Sequence, residues 1–326
     1  SVSGSSAATC ATIAKVALPE LDRRGYDKSL ALGSLSAAGG LGILIPPSIT
    51  MVVYAVAADT SVIRLFLAGF LPGFLLMGLF SGYIIWWSLR NPEKVPPAEA
   101  PTTFWQKIHR SGSLIPCGLL IVFIVWVLVA GIATATECAA WGVVGSLAIA
   151  AAGRSLTWQN FWQGLVGATR VSCMIMFILA GAAFLTKTMA FTGIPRELAE
   201  YVQSLNLSAY GLIAVLVIIY LILGTALDGI SMIMLTSAVV LPMVEKAGFD
   251  LVWFGIFIIM LIEIAEITPP VGFNLFVLQN MTGVDSNRIA RMTMPFFGCM
   301  ILAIILITVF PSIVTSLPNW FMGVER

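Results

Sequence analysis

Residues 1–6 read SVSGSS and residues 42–48 read GILIPPS; residues 224–231 read GTALDGIS and residues 268–274 read TPPVGFN. From Ser5 to Pro46 is 41 positions, and from Asp228 to Pro269 is again 41. Each half of the chain holds a Gly/Ser-type turn between apolar runs, followed at one fixed distance by a Pro-Pro break inside another apolar run. Proline lacks a backbone N–H and restrains the residue before it, so each Pro-Pro pair interrupts a helix. Taken singly, an SGSS or a Pro-Pro is an ordinary packing feature, because Ser and Gly also line helix–helix contacts in membranes. Matched interruptions in two halves are different: they are a sequence pointer to a binding site in a secondary transporter.

Composition agrees with a membrane setting. Hydrophobic residues make up 59% of the 326 residues and charged residues 10%, against about 25% charged in a soluble domain. Several apolar runs reach the roughly 20 residues that a helix needs to cross a bilayer. The fold class expected is an all-α polytopic membrane protein, built of inverted repeats with re-entrant hairpins and Pro-Pro-broken spans. The net charge of +1 gives no reason to invoke nucleic acid. The five cysteines are scattered through apolar runs without metal spacing and read as small buried residues. The single His109 sits in a polar loop and has no metal-ligand partners in sequence.

Along the chain, residues 1–90 read as the C-terminal part of a first inverted repeat. By analogy with the second half, about a hundred residues are expected before Ser1. Residues 5–18 form the outgoing arm of a hairpin that ends at Pro19. Residues 29–45 and 48–58 are two half-helices around the first break, and 62–89 a full span, with Trp86 and Trp87 at its end suiting an aromatic belt. Residues 91–112 are a Pro-rich cytoplasmic linker with a surface helix at 104–110. Residues 113–283 are the second inverted repeat. It holds spans at 114–130, 135–152 and 165–191, an interfacial segment at 155–162, and an amphipathic surface segment at 194–203. A hairpin at 209–244 and a broken helix at 251–282 complete it. Residues 284–326 are the C-terminal loop and a last span, placed at 295–316. With the first hairpin entering from the cytoplasm, twelve of the seventeen Lys and Arg fall on the cytoplasmic side, and the two repeats are inverted.

The turns carry the chemistry. Non-helical backbone at membrane depth is tolerated where protein or a water-filled cavity satisfies it. Freed carbonyls and hydroxyls are hard oxygen ligands suited to Na⁺, and half-helix N-termini suit an anionic substrate. The expected Na⁺ ligands are Ser5, Ser6, Gly42 and Ile45 in the first half, and Asp228, Ser231, Thr268 and Gly272 in the second. Ser3, Gly4, Ser48, Gly229 and Asn274 are expected to face substrate. Asp228 is also placed to cap the arm beginning near Gly229. Three carboxylates lie in or beside spans, and ionisable residues there are functional candidates. Glu137 is read as a local cap after a tight turn. Glu263 and Glu266 lie one turn apart before the second break, where Glu266 would support the broken helix by accepting N–H bonds. Proton coupling through these carboxylates stays open.

The segments SGSSAAT, LPELDRRGYDKSLA, AGGLGILIPPS, IATATECAAWGVV, LGTALDGISMIML and EITPPVGFNLFV together resemble the large membrane subunit of tripartite ATP-independent periplasmic (TRAP) transporters, the DctM type. The resemblance covers essentially the whole chain. It implies an elevator-type transporter of the broader ion-transporter superfamily in the bacterial inner membrane, with no enzymatic activity. It also implies Na⁺-coupled uptake of an organic acid such as a C4-dicarboxylate or a sialic acid. The partners it implies are a small DctQ-type membrane subunit and a periplasmic substrate-binding protein. It places Na⁺ and substrate at the turn and Pro-Pro residues named above.

Three other readings compete. A stand-alone Na⁺- or H⁺-coupled carboxylate carrier of the same superfamily would need no binding protein. A membrane-embedded enzyme would show a clustered nucleophile, base or metal set within its spans, and the lone His109 and dispersed cysteines argue against one. A purely structural subunit has no use for paired broken helices at matched spacing.

Overall fold

The computed structural model describes residues 4–97, 115–193, 197, 208–224, 227–269 and 272–323. The surface helix expected at 104–110, all but Glu197 of the segment 194–203, and Ser3 lie outside these residues. The described residues form an all-α polytopic membrane protein. Five of their helices are long and apolar enough to cross a membrane, or six when one bent pair counts as a span.

The chain divides into two compact units, residues 1–96 with 180–326, and residues 97–179. The larger unit opens with α1 (Ser6–Arg23), α2 (Lys28–Ala38), the single turn α3 (Leu41–Leu44), α4 (Ile49–Ala57) and α5 (Val62–Arg90). The segments on either side of Pro46-Pro47 meet at 48°. The smaller unit holds α6 (Ile115–Val129), α7 (Ala135–Ala152) and the first part of α8 (Trp158–Thr192). Then follow α9 (Ala209–Leu223), α10 (Gly229–Lys246), α11 (Leu251–Glu266), α12 (Phe273–Thr282), α13 (Ser286–Val309) and α14 (Ser312–Met322), all in the larger unit.

The larger unit repeats its own plan. Its helices α1 and α10 start at residues 6 and 229, and α2 and α11 at residues 28 and 251, each pair 223 positions apart. The N-caps repeat as well. Asp27 accepts from the Leu30 N–H at 3.0 Å, and Asp250 from the Trp253 N–H at 2.8 Å. Capping satisfies one of the four N–H groups left over at each helix start. Even the internal prolines, Pro19 in α1 and Pro242 in α10, fall at the same place and are both exposed.

Pro19 corrects one expectation, because α1 does not stop there but runs to Arg23. Proline removes one hydrogen bond, to the carbonyl of Lys15, and that position is exposed to solvent. Beyond it, Glu20 pairs with Arg23 at 2.8 Å and with Arg24 at 2.5 Å, which supports the last turn. Two other boundaries shift. Residues 158–192 form one helix, because a glycine in a helix interior costs only about 1 kcal/mol, and Gly164 and Gly167 are too weak to break it. The last span runs Ser286–Val309, because Pro311 pushes Phe310 out of helical conformation.

Helix α11 is the axis of the larger unit. Every residue from Val252 to Ala265 is buried, as expected of a helix that is apolar all round. Phe249, Trp253 and Phe257 stack along it at 5.0 and 5.2 Å. The Trp253 indole donates to the Ile307 carbonyl of α13 at 2.9 Å, and the Tyr54 hydroxyl of α4 donates to the Leu251 carbonyl at 2.7 Å. Around this axis many apolar side chains, such as Phe74, Ile85 and Ile305, stay exposed, as a lipid-facing surface requires. At the end of α5, Arg90 lies over the Trp86 ring at 4.9 Å, an interfacial pairing.

In the smaller unit α6 and α7 pack through glycine. A Cβ on Gly145 would sit 2.4 Å from Leu120 Cδ1. Thr134 and Glu137 form a reciprocal capping box at the start of α7, the local role read for Glu137.

Candidate functional site

Both turns are helix starts, and a helix start is where backbone donors lack partners. Ser5 is the N-cap of α1, in extended conformation. Gly4 before it has φ +61, and a Cβ there would lie 3.0 Å from both N and Cγ1 of Ile49. The turn therefore rests on the start of α4. There Ser48, buried, caps the half-helix by accepting from the Met51 N–H at 3.3 Å. Two expected substrate residues, Gly4 and Ser48, are thus brought together at one pair of helix N-termini.

The facing element approaches α1 as closely as glycine allows. A Cβ on Gly42 would lie 2.3 Å from Thr9 Oγ1, so Gly42 meets Thr9, one turn beyond Ser5. Ile45 ends α3 in extended conformation. Pro46 and Pro47 cannot donate, so the carbonyls of Gly42 and Ile43 lose their helical partners. Gly42 is among the expected ligands; Ile43 is not, and Ile45, the other expected one, follows it two residues on.

In the second half, Asp228 is the N-cap of α10. Its Oδ2 accepts from the N–H groups of Ile230 and Ser231 at 3.1 and 3.2 Å, and Ser231 Oγ donates to Oδ1 at 2.5 Å. The capping role read for Asp228 is the one it has. The turn packs onto the last turns of α11, where a Cβ on Gly229 would lie 2.6 Å from Ile262 and one on Gly224 2.1 Å from Ala265. Beyond α11, Thr268 donates its hydroxyl to the Ile264 carbonyl at 2.5 Å, and Gly272 donates its N–H to the Thr268 carbonyl at 3.1 Å. A Cβ on Gly272 would lie 2.8 Å from the Glu266 carbonyl, so the loop closes tightly on itself. Thr268 with Gly272 and Asp228 with Ser231 thus form two compact pieces. Glu266 lies within electrostatic range of both Asp228 and the Ser6 hydroxyl.

The two halves meet at Ser6. Its hydroxyl donates to Glu263 Oε2 at 3.3 Å and accepts from Asn274 Nδ2 at 2.8 Å. The same Nδ2 donates to the Ser36 carbonyl at 3.1 Å. Gly39 and Gly40, between α2 and α3, make the room. A Cβ on Gly39 would lie 2.7 Å from Asn274 Nδ2, and one on Gly40 2.1 Å from Glu263 Oε2. Around this knot several buried oxygens have no hydrogen-bond partner among the described residues: Glu263 Oε1, Glu266 Oε2, Asn274 Oδ1 and the Ser36 hydroxyl. Buried polar groups are normally satisfied, so such a cluster marks where water or an ion belongs. Nor does any Lys or Arg pair with Glu263 or Glu266 among the described residues. The donor set is all oxygen, the kind a hard cation accepts. Glu266 does not support the broken helix through its Oε2, which accepts nothing.

Some of these residues escaped the sequence. Thr9 carries no turn signature, although it stands one helical turn after Ser5. Ser36 is one more small residue in a Gly/Ala/Ser run. Gly39 and Gly40 were legible as a glycine cluster, but nothing in the sequence indicated that Glu263 and Asn274 fill their place. Asn274, expected to face substrate, is fully buried and spends its amide on Ser6 and Ser36.

Residues 1–313 match the family described as tripartite ATP-independent periplasmic transporter, DctM component. The chain is 34% identical to the C4-dicarboxylate TRAP transporter large permease protein DctM of Pseudomonas aeruginosa, over 98% of this chain and 74% of that one. It is 31% identical to the protein of the same name from Rhodobacter capsulatus, over 98% and 75%. It is 30% identical to the isethionate TRAP transporter permease protein DctMQ of Oleidesulfovibrio alaskensis, over 99% of this chain and 50% of that one.

Proposed function

The chain belongs to the DctM-component family of tripartite ATP-independent periplasmic transporters, a family of transport permeases rather than enzymes, and from that premise we propose that it imports an organic acid by coupling to Na⁺. The observation that carries the reading is the duplicated device. A helix start in each half, α1 at Ser6 and α10 at Gly229, stands against an interrupted helix, at an interval of 223 residues, with buried unpartnered oxygens between the halves.

The division of labour follows from the chemistry of each part. Carbonyls and hydroxyls at Ser5, Ser6, Gly42 and Ile45, and at Asp228, Ser231, Thr268 and Gly272, hold Na⁺. The helix starts at Gly4, Ser48 and Gly229 present N–H groups to a carboxylate or other anionic substrate. Bound Na⁺ orders both turns, so substrate binds well only in its presence, which is the coupling. Relatives are named for C4-dicarboxylates and for isethionate; both are small organic anions, and the anion-binding helix starts suit that class. A DctMQ relative twice as long as the matched region supports a small DctQ-type subunit as partner. A periplasmic binding protein delivers the substrate, the membrane is the bacterial inner membrane, and the substrate crosses by an elevator movement of the hairpin-bearing unit.

The test is uptake into proteoliposomes of the full-length permease with its small subunit and binding protein. An imposed Na⁺ gradient is compared with ATP or a pH gradient alone, and repeated with Ser5→Ala and Thr268→Ala. Uptake driven by Na⁺, dependent on the binding protein and weakened in both variants, is the expected result. Uptake indifferent to Na⁺ would overturn the coupling ion and turn attention to Glu263 and Glu266 as proton carriers. Uptake without the binding protein would favour a stand-alone carrier.

A further inference from the structure

We propose that Asn274 is a positioning residue rather than a substrate contact: through Ser6 and Glu263 it ties the start of the first hairpin helix to the broken helix of the second half. The site of the first turn is then built jointly by both halves, and neither turn rearranges alone. Only the consequence for ion coupling rests on the function proposed above; the link itself does not.

The argument begins with what each atom has available. Asn274 is wholly buried, and its amide nitrogen carries two hydrogens. One goes to Ser6 Oγ at 2.8 Å and the other to the Ser36 carbonyl at 3.1 Å. Having accepted from Asn274, the Ser6 hydroxyl turns its own hydrogen to Glu263 Oε2 at 3.3 Å. The chain Asn274–Ser6–Glu263 therefore has one polarity and joins α12, α1 and α11. Ser36 adds α2. Two side chains, Ser6 and Asn274, thus join four elements at the position where α1 starts.

Glycines make the convergence sterically specific. Any side chain at Gly39 or Gly40 would displace Asn274 or Glu263. The interlock continues down α1, where Cys10, one turn past Ser6, packs fully buried against Leu275 and Leu278 of α12 and Leu32 and Leu35 of α2. A shift of α12 therefore moves α1 both through the polar knot and through this apolar contact.

Cys10 supplies a native reporter. In the full-length permease, with every cysteine other than Cys10 replaced by Ala, the rate of Cys10 alkylation by N-ethylmaleimide reads how often α1 leaves α12. Asn274→Asp keeps the volume and removes both donors; Asn274→Leu puts an apolar side chain of similar size in place of the amide; Ser6→Ala deletes the link from the other end. Each is expected to speed Cys10 alkylation by about tenfold or more, the factor that losing one buried hydrogen bond implies. Asn274→Asp combined with Ser6→Ala should add little to either alone, because both cut the same chain. Unchanged alkylation in Ser6→Ala and Asn274→Asp, or fully additive effects, would overturn the proposal. The readout needs neither Na⁺ nor substrate. Faster alkylation together with Na⁺-independent uptake would retain the link and reject the coupling ion. Unchanged alkylation with Na⁺-driven uptake would do the reverse.

Discussion

Replacing Gly40 by Ala tests the knot at its tightest point. Gly40 has φ −59 and ψ −36, ordinary helical values, so an alanine there meets no backbone strain. On local grounds alone the substitution should stabilise by about 0.4–1 kcal/mol, through a less flexible unfolded chain. The tertiary structure reverses the sign. The new Cβ would lie 2.1 Å from Glu263 Oε2 and 2.8 Å from its Cδ, so the buried carboxylate has to shift. Overpacking of this kind costs about 1–3 kcal/mol. Moving the carboxylate also breaks its bond to Ser6, worth about 0.6–1.7 kcal/mol inside a membrane protein. The net expectation is a destabilisation of about 1–4 kcal/mol, taking these terms together. The assay is the fraction of permease still monodisperse after heating in detergent, measured for Gly40→Ala in the native and the Glu263→Ala backgrounds. With Glu263 truncated the clash is gone, and Gly40→Ala should become neutral or mildly stabilising. A harmless Gly40→Ala in the native background, or equal harm in both, would refute the reasoning.

Gly33→Ala places a Cβ 2.3 Å from the backbone carbonyl oxygen of Met292, which no side-chain rotation can relieve; a loss of about 1–3 kcal/mol is expected, and Met292→Ala should not rescue it in the same heating assay. Asp228→Ala removes the cap of α10 and should cost about 0.5–2 kcal/mol, while Asp228→Asn should keep most of that stability because its side-chain oxygen still accepts from Ile230 and Ser231. Hydrogen bonds from Arg23 and Arg24 hold the Glu20 carboxyl below the ordinary glutamate range. A depressed folded-state pKa means that Glu20 supports the end of α1 above the unfolded-state pKa and loses that support as pH falls through the folded one. Protection of the amides of residues 20–25 from exchange, taken relative to the intrinsic rate at each pH, should therefore fall in acid, and also at high salt near neutral pH because the pairs are exposed; protection indifferent to both would refute the pairing.

Short-range signals in the sequence were read correctly where a single element decides the outcome. Asp228 caps α10, Glu137 closes a capping box, and the Pro-Pro pair at 46–47 bends its span, because each of these depends on neighbours within four residues. The same short range explains the errors. Pro19 looked like a terminator, but a proline on an exposed face costs one replaceable hydrogen bond, and the Glu20 ion pairs hold the turn beyond it. The join of 158–162 to the following span was missed because the glycines there, Gly164 and Gly167, are too weak a break in a long apolar helix.

The sequence by itself determined that this is a helical membrane protein with the same device twice, since apolar length, proline chemistry and equal spacing are properties of the chain. It also marked Ser6, Glu263 and Asn274 as candidate residues. Only the tertiary structure decided that they touch. Ser6 and Asn274 stand 268 positions apart, and no periodicity within one helix sets which faces of α1, α2, α11 and α12 converge. That choice is made by close packing, in which a missing Cβ at Gly40 decides whether a buried carboxylate has space to exist.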